Sequence, residues 1–209
     1  MERNPQCLKI GVGIPTLNRY DLLKPNLVAY SKDFVDVPFY ILDNGNQGIN
    51  FKNIITYTKN IGVGASWNVL CNKIFETCDY ALILNDDIYL GKNINQINAL
   101  IEKKGDMLMR ATPDWCAFII PKYIFNKVGI FDEIFYPAYY EDKSYEYRMK
   151  LMGIPILKTP DLNPFIYQNC KTQEKDYSII ESAKKNKMIY IQMWGGEPEM
   201  EKYKYAYNQ

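Results

Sequence analysis

Short apolar runs alternate with segments of helical period along the chain. Six runs predict strands: Leu8–Ile14, Val37–Leu42, Ile54–Tyr57, Tyr80–Leu84, Cys116–Ile120 and Ile154–Leu157. Several of them are apolar at every position, as in strands that are covered on both faces. Strands that alternate with helices predict an α/β fold, with a mostly parallel central sheet flanked by helices on both faces.

Three helices are predicted between these strands. Apolar residues share one face across Ala65–Glu76, isoleucines recur at helical spacing across Ile94–Ile101, and a third pattern covers Tyr145–Met152, where Arg148 is the misfit. The stretch that begins near Asp161 is less regular and rich in tyrosine. We expect it to wrap over the core, so that residues 1–209 form a single domain.

Composition narrows the chemistry that the chain can perform. The 209 residues carry 25 Lys and Arg against 24 Asp and Glu, a net charge of +1, which lacks the basic excess of a nucleic-acid-binding protein. The chain contains no histidine, so Ser-His-Asp triads, Cys-His dyads and histidine-ligated metal sites are excluded. Acid–base and metal chemistry must therefore rest on carboxylates, amides, lysine, tyrosine or cysteine.

Cysteine usage and the length of the apolar runs indicate a compartment. Five cysteines without a CxxC spacing argue against a disulfide scaffold or a zinc site and favour a reducing environment. No apolar run reaches the roughly 18 residues that span a bilayer, and the first residues lack the pattern of a signal peptide. We expect a cytoplasmic protein without a membrane span.

Polar segments follow four successive predicted strands: Pro15–Arg19, Asp43–Asn46, Asn60–Gly64 and Asn85–Asp87. In open α/β sheets, ligands bind at the carboxyl ends of the strands. The adjacent carboxylates of Asp86 and Asp87 repel each other unless a cation or a hydrogen-bonded turn stabilises them. Mg²⁺ or Mn²⁺ accepts one or two carboxylates together with substrate phosphate oxygens. A solvated turn is the alternative interpretation of this pair.

Two of these loops also have a structural and a functional interpretation. The segment Asp43–Asn46 is typical of an Asx turn with Gly45 at positive φ, whereas Asp43 could instead accept hydrogen bonds from a ribose or a base. Gly62 and Gly64 precede a predicted helix, whose N-terminal amides favour anions, but no P-loop lysine follows them.

Two segments in the second half of the chain are further candidates. Glu141 and Asp142 stand where the third helix begins, so they serve either as favourable first-turn charges or, when buried, as a source of a general base. The segment Trp194–Gly196 indicates an exposed tryptophan on a mobile loop that closes over a ligand. A terminal turn with the tryptophan packed on the core is the alternative.

Taken in order, these motifs resemble a glycosyltransferase of the GT-A type, close to the family 2 group. The ordered set comprises Gly13–Arg19, Asp43–Gly45, Asn60–Asn68, Asn85–Asp87, Val128–Phe135, Tyr140–Asp142, Arg148, Trp194–Gly196 and Tyr207–Asn208. No motif is specific by itself, but together they cover about residues 8–208. The chain also resembles the N-terminal catalytic domains of multi-domain glycosyltransferases of large algal viruses, the chloroviruses.

The resemblance implies the GT-A (nucleotide-diphospho-sugar transferase) fold, with a nucleotide-binding half at about residues 1–90 and an acceptor half at about 91–209. It implies transfer of a hexose or deoxyhexose, such as glucose or rhamnose, from a UDP-sugar to a hydroxyl of a glycan acceptor, with inversion. Asp87, with Asp86, would hold Mn²⁺ or Mg²⁺, and Asp142 would be the general base, with Glu141 as second candidate. The expected nucleotide-sugar site comprises Pro15, Thr16, Asn18, Arg19, Asp43, Asn44, Asn60, Gly62, Asn68, Asn85, Asp86, Trp194 and Gly195.

Two departures from the family pattern bear on these expectations. Ser144 stands where relatives often have a further acid, and the chain lacks the late histidine that joins the metal in many relatives. The metal would therefore have few protein ligands and bind weakly without nucleotide. A noncatalytic nucleotide-sugar-binding module and a sugar-phosphate nucleotidyltransferase are the alternative functions. A viral origin would place the protein in the host cytoplasm, and the resemblance leaves room for further domains in the natural chain.

Overall fold

A seven-stranded central sheet organises the protein. The computed structural model describes residues 9–105, 107–112, 114–163, 166–167 and 178–209. The strands are β1 (Ile10–Thr16), β2 (Phe39–Asp43), β3 (Ile54–Thr56), β4 (Tyr80–Leu84), β5 (Ile88–Tyr89), β6 (Leu108–Arg110), β7 (Ala117–Pro121), β8 (Ile156–Lys158) and β9 (Ile166–Tyr167). The order in the central sheet is β3-β2-β1-β4-β7-β6-β8, and β5 pairs with β9 in a separate small sheet. In the central sheet β7 alone runs against the other strands, which confirms a mostly parallel sheet.

Helices cover both faces of this sheet, as the sequence pattern predicts. They are α1 (Tyr20–Asp33), α2 (Val63–Ile74), α3 (Ile94–Lys104), α4 (Lys122–Val128), α5 (Glu141–Leu151) and α6 (Ser178–Trp194), with 3₁₀ turns at Pro160–Leu162 and Ala206–Asn208. Apolar residues of α1 and α3 pack on one face, and those of α2, α4 and α5 pack on the other. Within the described ranges, none of the helices combines the length and apolar character that a membrane span requires.

Two glycines in β1 let α2 approach the sheet closely. A Cβ at Gly11 would lie 2.7 Å from Cγ2 of Ile74, and one at Gly13 would lie 3.1 Å from Cβ of Leu70. The alternating residues of β1 are apolar and buried on the other face. Because α2 follows β3, this contact holds the N-terminus of α2 near the carboxyl edge of the parallel strands.

The chain after Asp161 is more regular than its sequence pattern indicates. The 17-residue helix α6 lies in this region, and its apolar residues join a third core cluster. The buried members of this cluster are Phe135, Tyr147, Tyr190, Met193 and Trp194. Lysines occupy positions 184, 185 and 187 in the middle of α6. They interrupt the run of apolar residues, so the helical spacing of the apolar face is hard to detect in the sequence.

The hydrophobic pattern also fails to predict several elements that are short or contain proline. The pattern does not predict α1, which contains Pro25, or α4, which spans 7 residues. It also misses β5 and β9, each of 2 residues, and β6, of 3 residues. Alternation over so few positions cannot be distinguished from a loop.

Candidate functional site

A cavity of about 330 Å³ lies at the carboxyl edge of the central sheet. Residues at or just after the ends of β1 to β4 share its wall with the segment before α5 and with the first turn of α5. The predicted site residues along this wall are Pro15, Thr16, Asn44, Asn60, Asn85, Asp86, Asp87, Glu141 and Asp142. The structure therefore brings the acid doublet and both candidate bases to one cavity.

The acid doublet is buried in the cavity wall. Asp86 is 5% exposed and Asp87 is 4% exposed, so a solvated turn does not describe them. The N–H of Asn85 donates to the carbonyl oxygen of Cys116 at 2.9 Å, which extends the pairing of β4 with β7 up to the doublet. Burial raises the pKa of Asp87, while its own backbone amide and the Arg19 guanidinium oppose that shift.

Glu141 and Asp142 form the first turn of α5, as predicted. Glu141 is 4% exposed, whereas the Asp142 side chain is 22% exposed. Burial raises the pKa of both carboxyl groups; the charge of Asp142 raises the pKa of Glu141 further, and Lys143 opposes the shift at Asp142. Asp142 is thus the carboxylate that a substrate reaches more easily.

The segment that leads into α5 has an unusual backbone. Tyr139 and Tyr140 have φ of 74° and 78°, a left-handed conformation that costs a residue with a Cβ roughly 1–2 kcal/mol. The buried side chain of Asn186 on α6 donates through Nδ2 to the carbonyl oxygens of Ala138 and Tyr139 at 2.7 and 3.2 Å. Helix α6 therefore stabilises the bend that sets the first turn of α5 against the cavity.

Asn44 ties the end of β2 to the loop before α2. Its Nδ2 donates to Asn60 Oδ1 at 2.8 Å and to Ser66 Oγ at 3.2 Å, and its Oδ1 accepts from the N–H of Ile61 at 2.8 Å. Gly62, the residue before α2, has φ of 88° and donates its N–H to Asn60 Oδ1. This network positions Asn44 and Asn60 on the wall, while Gly62 does not line the cavity within the described residues.

The loop after β2 adopts a structural turn. Asp43 is 1% exposed, and its carboxylate accepts from the backbone and side-chain amides of Gln47 at 2.7 and 3.0 Å. The positive φ falls on Asn46, at 52°, so the predicted conformation of Gly45 is wrong. A Cβ at Gly45 would lie 2.8 Å from Asn18 Oδ1, which explains the glycine by close approach. Neither Asp43 nor Asn18 is among the described lining residues.

Arg19 and Asn68, also absent from the described lining, have partners within the fold. The Nε of Arg19 lies 3.2 Å from Asp21 Oδ1, and the Arg19 side chain is 5% exposed. Asn68 donates to the carbonyl oxygen of Phe131 at 2.9 Å and accepts from its N–H at 2.8 Å, which fastens α2 to the loop after α4. A role of these two residues in nucleotide binding stays a prediction.

The expectation of an exposed Trp194 is wrong. Trp194 is 4% exposed, and its Nε1 donates to Ser144 Oγ at 2.9 Å. Ser144 in turn donates to a carboxylate oxygen of Asp132, so it links α5, α6 and the loop after α4. A Cβ at Gly195 would lie 2.8 Å from the ring of Tyr203, which confirms a packed terminal turn. Trp194 and Gly195 do not contribute to the described part of the cavity wall.

The structure adds lining residues that the sequence analysis did not assign to the site, among them Trp67, Asp114, Trp115, Tyr139 and Ile179. Trp67 falls on the apolar face of α2, so its helical spacing indicated only a core residue. Three buried side-chain atoms of lining residues have no hydrogen-bond partner among the described residues: Thr16 Oγ1, Trp67 Nε1 and Glu141 Oε2. An unpaired buried polar atom costs about 1–3 kcal/mol, so three in one wall indicate a polar ligand.

The donor set on this wall fits a hard divalent cation. In the part of the chain that the structure describes, no group of three or more Asp, Glu or Cys side chains could hold a metal unaided. Asp86 and Asp87 offer carboxylate oxygens, which Mg²⁺ and Mn²⁺ prefer, and burial disfavours the charge of Asp87 until a cation balances it. Ligand oxygens would have to complete the coordination.

No protein-family model matches the sequence, and no curated protein matches it either. Solved structures match in fold. The mannosyltransferase PcManGT from Pyrobaculum calidifontis, in complex with GDP-Man and Mn²⁺, is similar over 86% of this chain and 70% of its own, with 12% identity and a TM-score of 0.57. GalNAc-T7, solved with UDP, GalNAc and Mn²⁺, is similar over 94% of this chain and 50% of its own, with 12% identity and a TM-score of 0.67.

TarS from S. aureus is similar over 87% of this chain and 45% of its own, with 14% identity and a TM-score of 0.55. This chain thus spans half of GalNAc-T7 and less than half of TarS. At such identities the likeness establishes the architecture: the chain has the GT-A fold that its motifs resemble.

Proposed function

We propose that the protein is a glycosyltransferase that moves a hexose or deoxyhexose from a UDP-sugar to a hydroxyl group of a glycan acceptor. One observation carries the proposal: Asp87 and Asp142 line the same cavity at the carboxyl edge of a GT-A sheet. The similar structures support it, because two of them hold GDP-Man or UDP together with Mn²⁺. The choice of UDP and of the sugar rests on the motif resemblance.

The nucleotide is proposed to occupy the part of the cavity formed by the ends of β1 to β3. The Oγ1 of Thr16 lies there without a hydrogen-bond partner in the described part of the chain, and Asn44 and Asn60 present amide groups that the surrounding network holds in place. Asp43, at the end of β2, is proposed to recognise the base or ribose. The Asp43 carboxylate oxygens already accept hydrogen bonds from Gln47. A bound nucleotide would therefore either share these oxygens with Gln47 or displace Gln47 from them.

Asp87, with Asp86, would hold Mn²⁺ or Mg²⁺ against the donor diphosphate. When bound, such a cation neutralises the negative charge that develops on the leaving diphosphate. The protein contributes two buried carboxylates at the end of a strand whose two neighbours fix its position.

Asp142 is proposed as the general base. The acceptor oxygen bonds to the anomeric carbon, the bond from that carbon to the diphosphate oxygen breaks, and the hydroxyl proton moves to the Asp142 carboxylate. A single in-line displacement of this kind inverts the anomeric centre. The raised pKa of Asp142 strengthens it as a base, and its 22% exposure gives an acceptor access. Glu141 is the second candidate.

From the same motifs we propose that the protein belongs to the family 2 group. We also propose that it is the N-terminal domain of a longer viral enzyme, which acts in the host cytoplasm. The chain spans half of GalNAc-T7, and further domains fit that comparison. Residues 1–90 are proposed as the nucleotide half and 91–209 as the acceptor half.

Replacement of Asp142 tests the proposal directly. We expect Asp142→Asn to lower transfer from a UDP-sugar roughly 10²- to 10⁴-fold, because the amide cannot accept the acceptor proton. Calorimetric affinity for UDP with Mn²⁺ should stay unchanged, and NMR of the wild-type product should show an inverted anomeric linkage. If Asp142→Asn still transfers the sugar, the general base is Glu141 or another residue. If the product keeps the anomeric configuration of the donor, a single displacement is excluded.

Asp79→Asn is the matched control for this variant. Asp79 is exposed and precedes β4 at the end of the strand opposite Asp87, so transfer should be unaffected. The alternative functions give different results in the same assays. Binding of UDP-sugars without transfer to any acceptor would indicate a binding module, and release of pyrophosphate from UTP and a sugar phosphate would indicate a nucleotidyltransferase.

A further inference from the structure

Two of the unpartnered atoms in the cavity wall lie on neighbouring elements. A Cβ built on Gly64 would lie 3.3 Å from Cβ of Glu141, so the first turn of α5 touches α2 at this glycine. Trp67 follows Gly64 by three residues, which places both on the same side of α2. Trp67 Nε1 and Glu141 Oε2 therefore belong to one region of the wall, and both lack a partner among the described residues.

We propose that Trp67 and Glu141 form the subsite for the hydroxyl groups of the transferred sugar. The indole N–H donates to one hydroxyl oxygen, and the Glu141 carboxyl group pairs with a neighbouring hydroxyl. This inference deepens the proposed glycosyltransferase function and depends on it.

The chemistry of the two groups favours an uncharged polyol over an anion. An indole nitrogen only donates hydrogen bonds, whereas a hydroxyl group both donates and accepts. Burial raises the pKa of Glu141 and so favours its protonated form. A protonated carboxyl group donates hydrogen bonds as well as accepting them. Neither an indole nor a carboxyl group carries a positive charge, so a phosphate would find no counter-charge from this pair. The diphosphate belongs instead beside Asp87, near Arg19.

Trp115 supplies an internal comparison. It lines the same cavity and stacks on Trp67, with ring centroids 6.1 Å apart and planes inclined by 23°. Its Nε1, however, donates to Glu146 Oε1 at 2.9 Å. Among the described residues, the Nε1 of Trp115 thus has an acceptor and the adjacent Nε1 of Trp67 has none. A hydroxyl group of the ligand would supply the acceptor for Trp67.

The test measures sugar recognition separately from nucleotide recognition. Calorimetry in the presence of Mn²⁺ compares UDP with UDP-glucose, UDP-galactose, UDP-GlcNAc and UDP-rhamnose for the wild type and for Trp67→Phe. We expect Trp67→Phe to weaken binding of the preferred UDP-sugar roughly 5- to 30-fold while the affinity for UDP stays the same. Trp115→Phe, which removes a partnered N–H, should leave the ratio of the two affinities unchanged.

Two further measurements keep the proposal open to refutation if a tryptophan variant fails to fold. Glu141→Gln keeps a neutral donor and acceptor and should preserve the preference for the sugar over UDP, whereas Glu141→Ala should lose it. Wild-type protein should bind a deoxy analogue of the preferred UDP-sugar, lacking the recognised hydroxyl, about tenfold more weakly.

The outcomes separate this subsite from the function on which it depends. If Trp67→Phe weakens UDP and the UDP-sugar by the same factor, or weakens neither, the subsite is wrong and the glycosyltransferase proposal stands. If no deoxy analogue binds more weakly than its parent, the subsite is likewise wrong. If the wild type binds neither UDP nor any UDP-sugar, both proposals fail.

Discussion

The surroundings of three carboxyl groups in the cavity wall disfavour their charged form. These groups belong to Asp87, Glu141 and Asp142. Burial raises the pKa of all three, and each lines the same cavity. A folded-state pKa above the unfolded value means that the native protein binds protons that the unfolded chain has already released. The contribution of these groups to the free energy of unfolding therefore falls as pH rises. A carboxylate in a salt bridge has the opposite effect, because its pKa is lowered in the folded state.

Glu141→Gln isolates this effect at one residue. Glutamine has a similar shape but no proton to lose, so the variant lacks the penalty that builds up from the ordinary glutamate pKa of 4.5 to the raised folded value. We expect equal melting temperatures below that range and a higher melting temperature for the variant above it. Thermal unfolding at several pH values measures the difference.

The result that would contradict this prediction is a difference that does not change with pH, or a variant that is less stable at alkaline pH. Glu181→Gln provides the control, because Glu181 is exposed on α6 and is not among the described lining residues of the cavity. Its melting temperature should follow that of the wild type across the whole range.

At the scale of elements, α6 supports the site through Asn186, which is not among the described lining residues of the cavity. Asn186 lies at 0% exposure, and its amide holds the carbonyl groups of the bend at Ala138 and Tyr139. The left-handed backbone at Tyr139 and Tyr140 persists because its surroundings overdetermine it. The first turn of α5, and hence Asp142, depends on this support.

Asn186→Ala should therefore damage activity as well as stability. The carbonyl group of the buried Ala138 and the partly buried one of Tyr139 lose their donor, which we expect to lower the free energy of unfolding by about 1–3 kcal/mol. Well below the melting temperature, kcat should fall more than KM rises, because Asp142 loses its position while the donor site keeps its own contacts. Steady-state kinetics and thermal unfolding measure the two effects.

Ser182→Ala is the control on the same helix, since its hydroxyl donates within α6 to the carbonyl oxygen of Ile179 at 2.7 Å. It should leave kcat unchanged. Asn186 would be shown to be structural alone if its alanine variant lost stability but kept the wild-type kcat and KM.

At the scale of the molecule, the cavity joins both parts of the chain. Asn44 and Asp87 come from the first 90 residues, while Trp115, Glu141 and Asp142 come from the remainder. If Asp86 and Asp87 are the protein ligands, as proposed, a divalent cation needs ligand oxygens to complete its coordination. Metal and nucleotide should therefore bind cooperatively.

Thermal shift measurements test this cooperativity. UDP with Mn²⁺ at about 100 times its dissociation constant should stabilise the fold by about 2.7 kcal/mol, which raises the melting temperature by roughly 5–11 °C. Mn²⁺ alone should have little effect, and Asp87→Asn should remove the gain that Mn²⁺ adds to UDP. A full shift with Mn²⁺ alone, or an unchanged gain in the variant, would contradict the metal role of Asp87.

The sequence by itself determined the alternation of strands and helices and the polar residues at strand ends. Tyr80–Leu84 is apolar throughout, so it had to be a strand covered on both faces, with Asn85–Asp87 directly after it. Because parallel strands share one carboxyl edge, the ends of β1 to β4 were predictable as neighbours. These are local signals, which depend on periodicity and on the direction of the chain.

The tertiary structure alone decided which side chains are buried, paired or left without a partner. The sequence does not show which tryptophan N–H group finds an acceptor. In the packed core, the N–H of Trp115 has one, and among the described residues the N–H of Trp67 does not. Trp194 is buried because Ser144 and Tyr147 on α5 meet it across 47 to 50 positions of sequence. Such contacts join residues far apart in the chain, and no local pattern records which of them will meet.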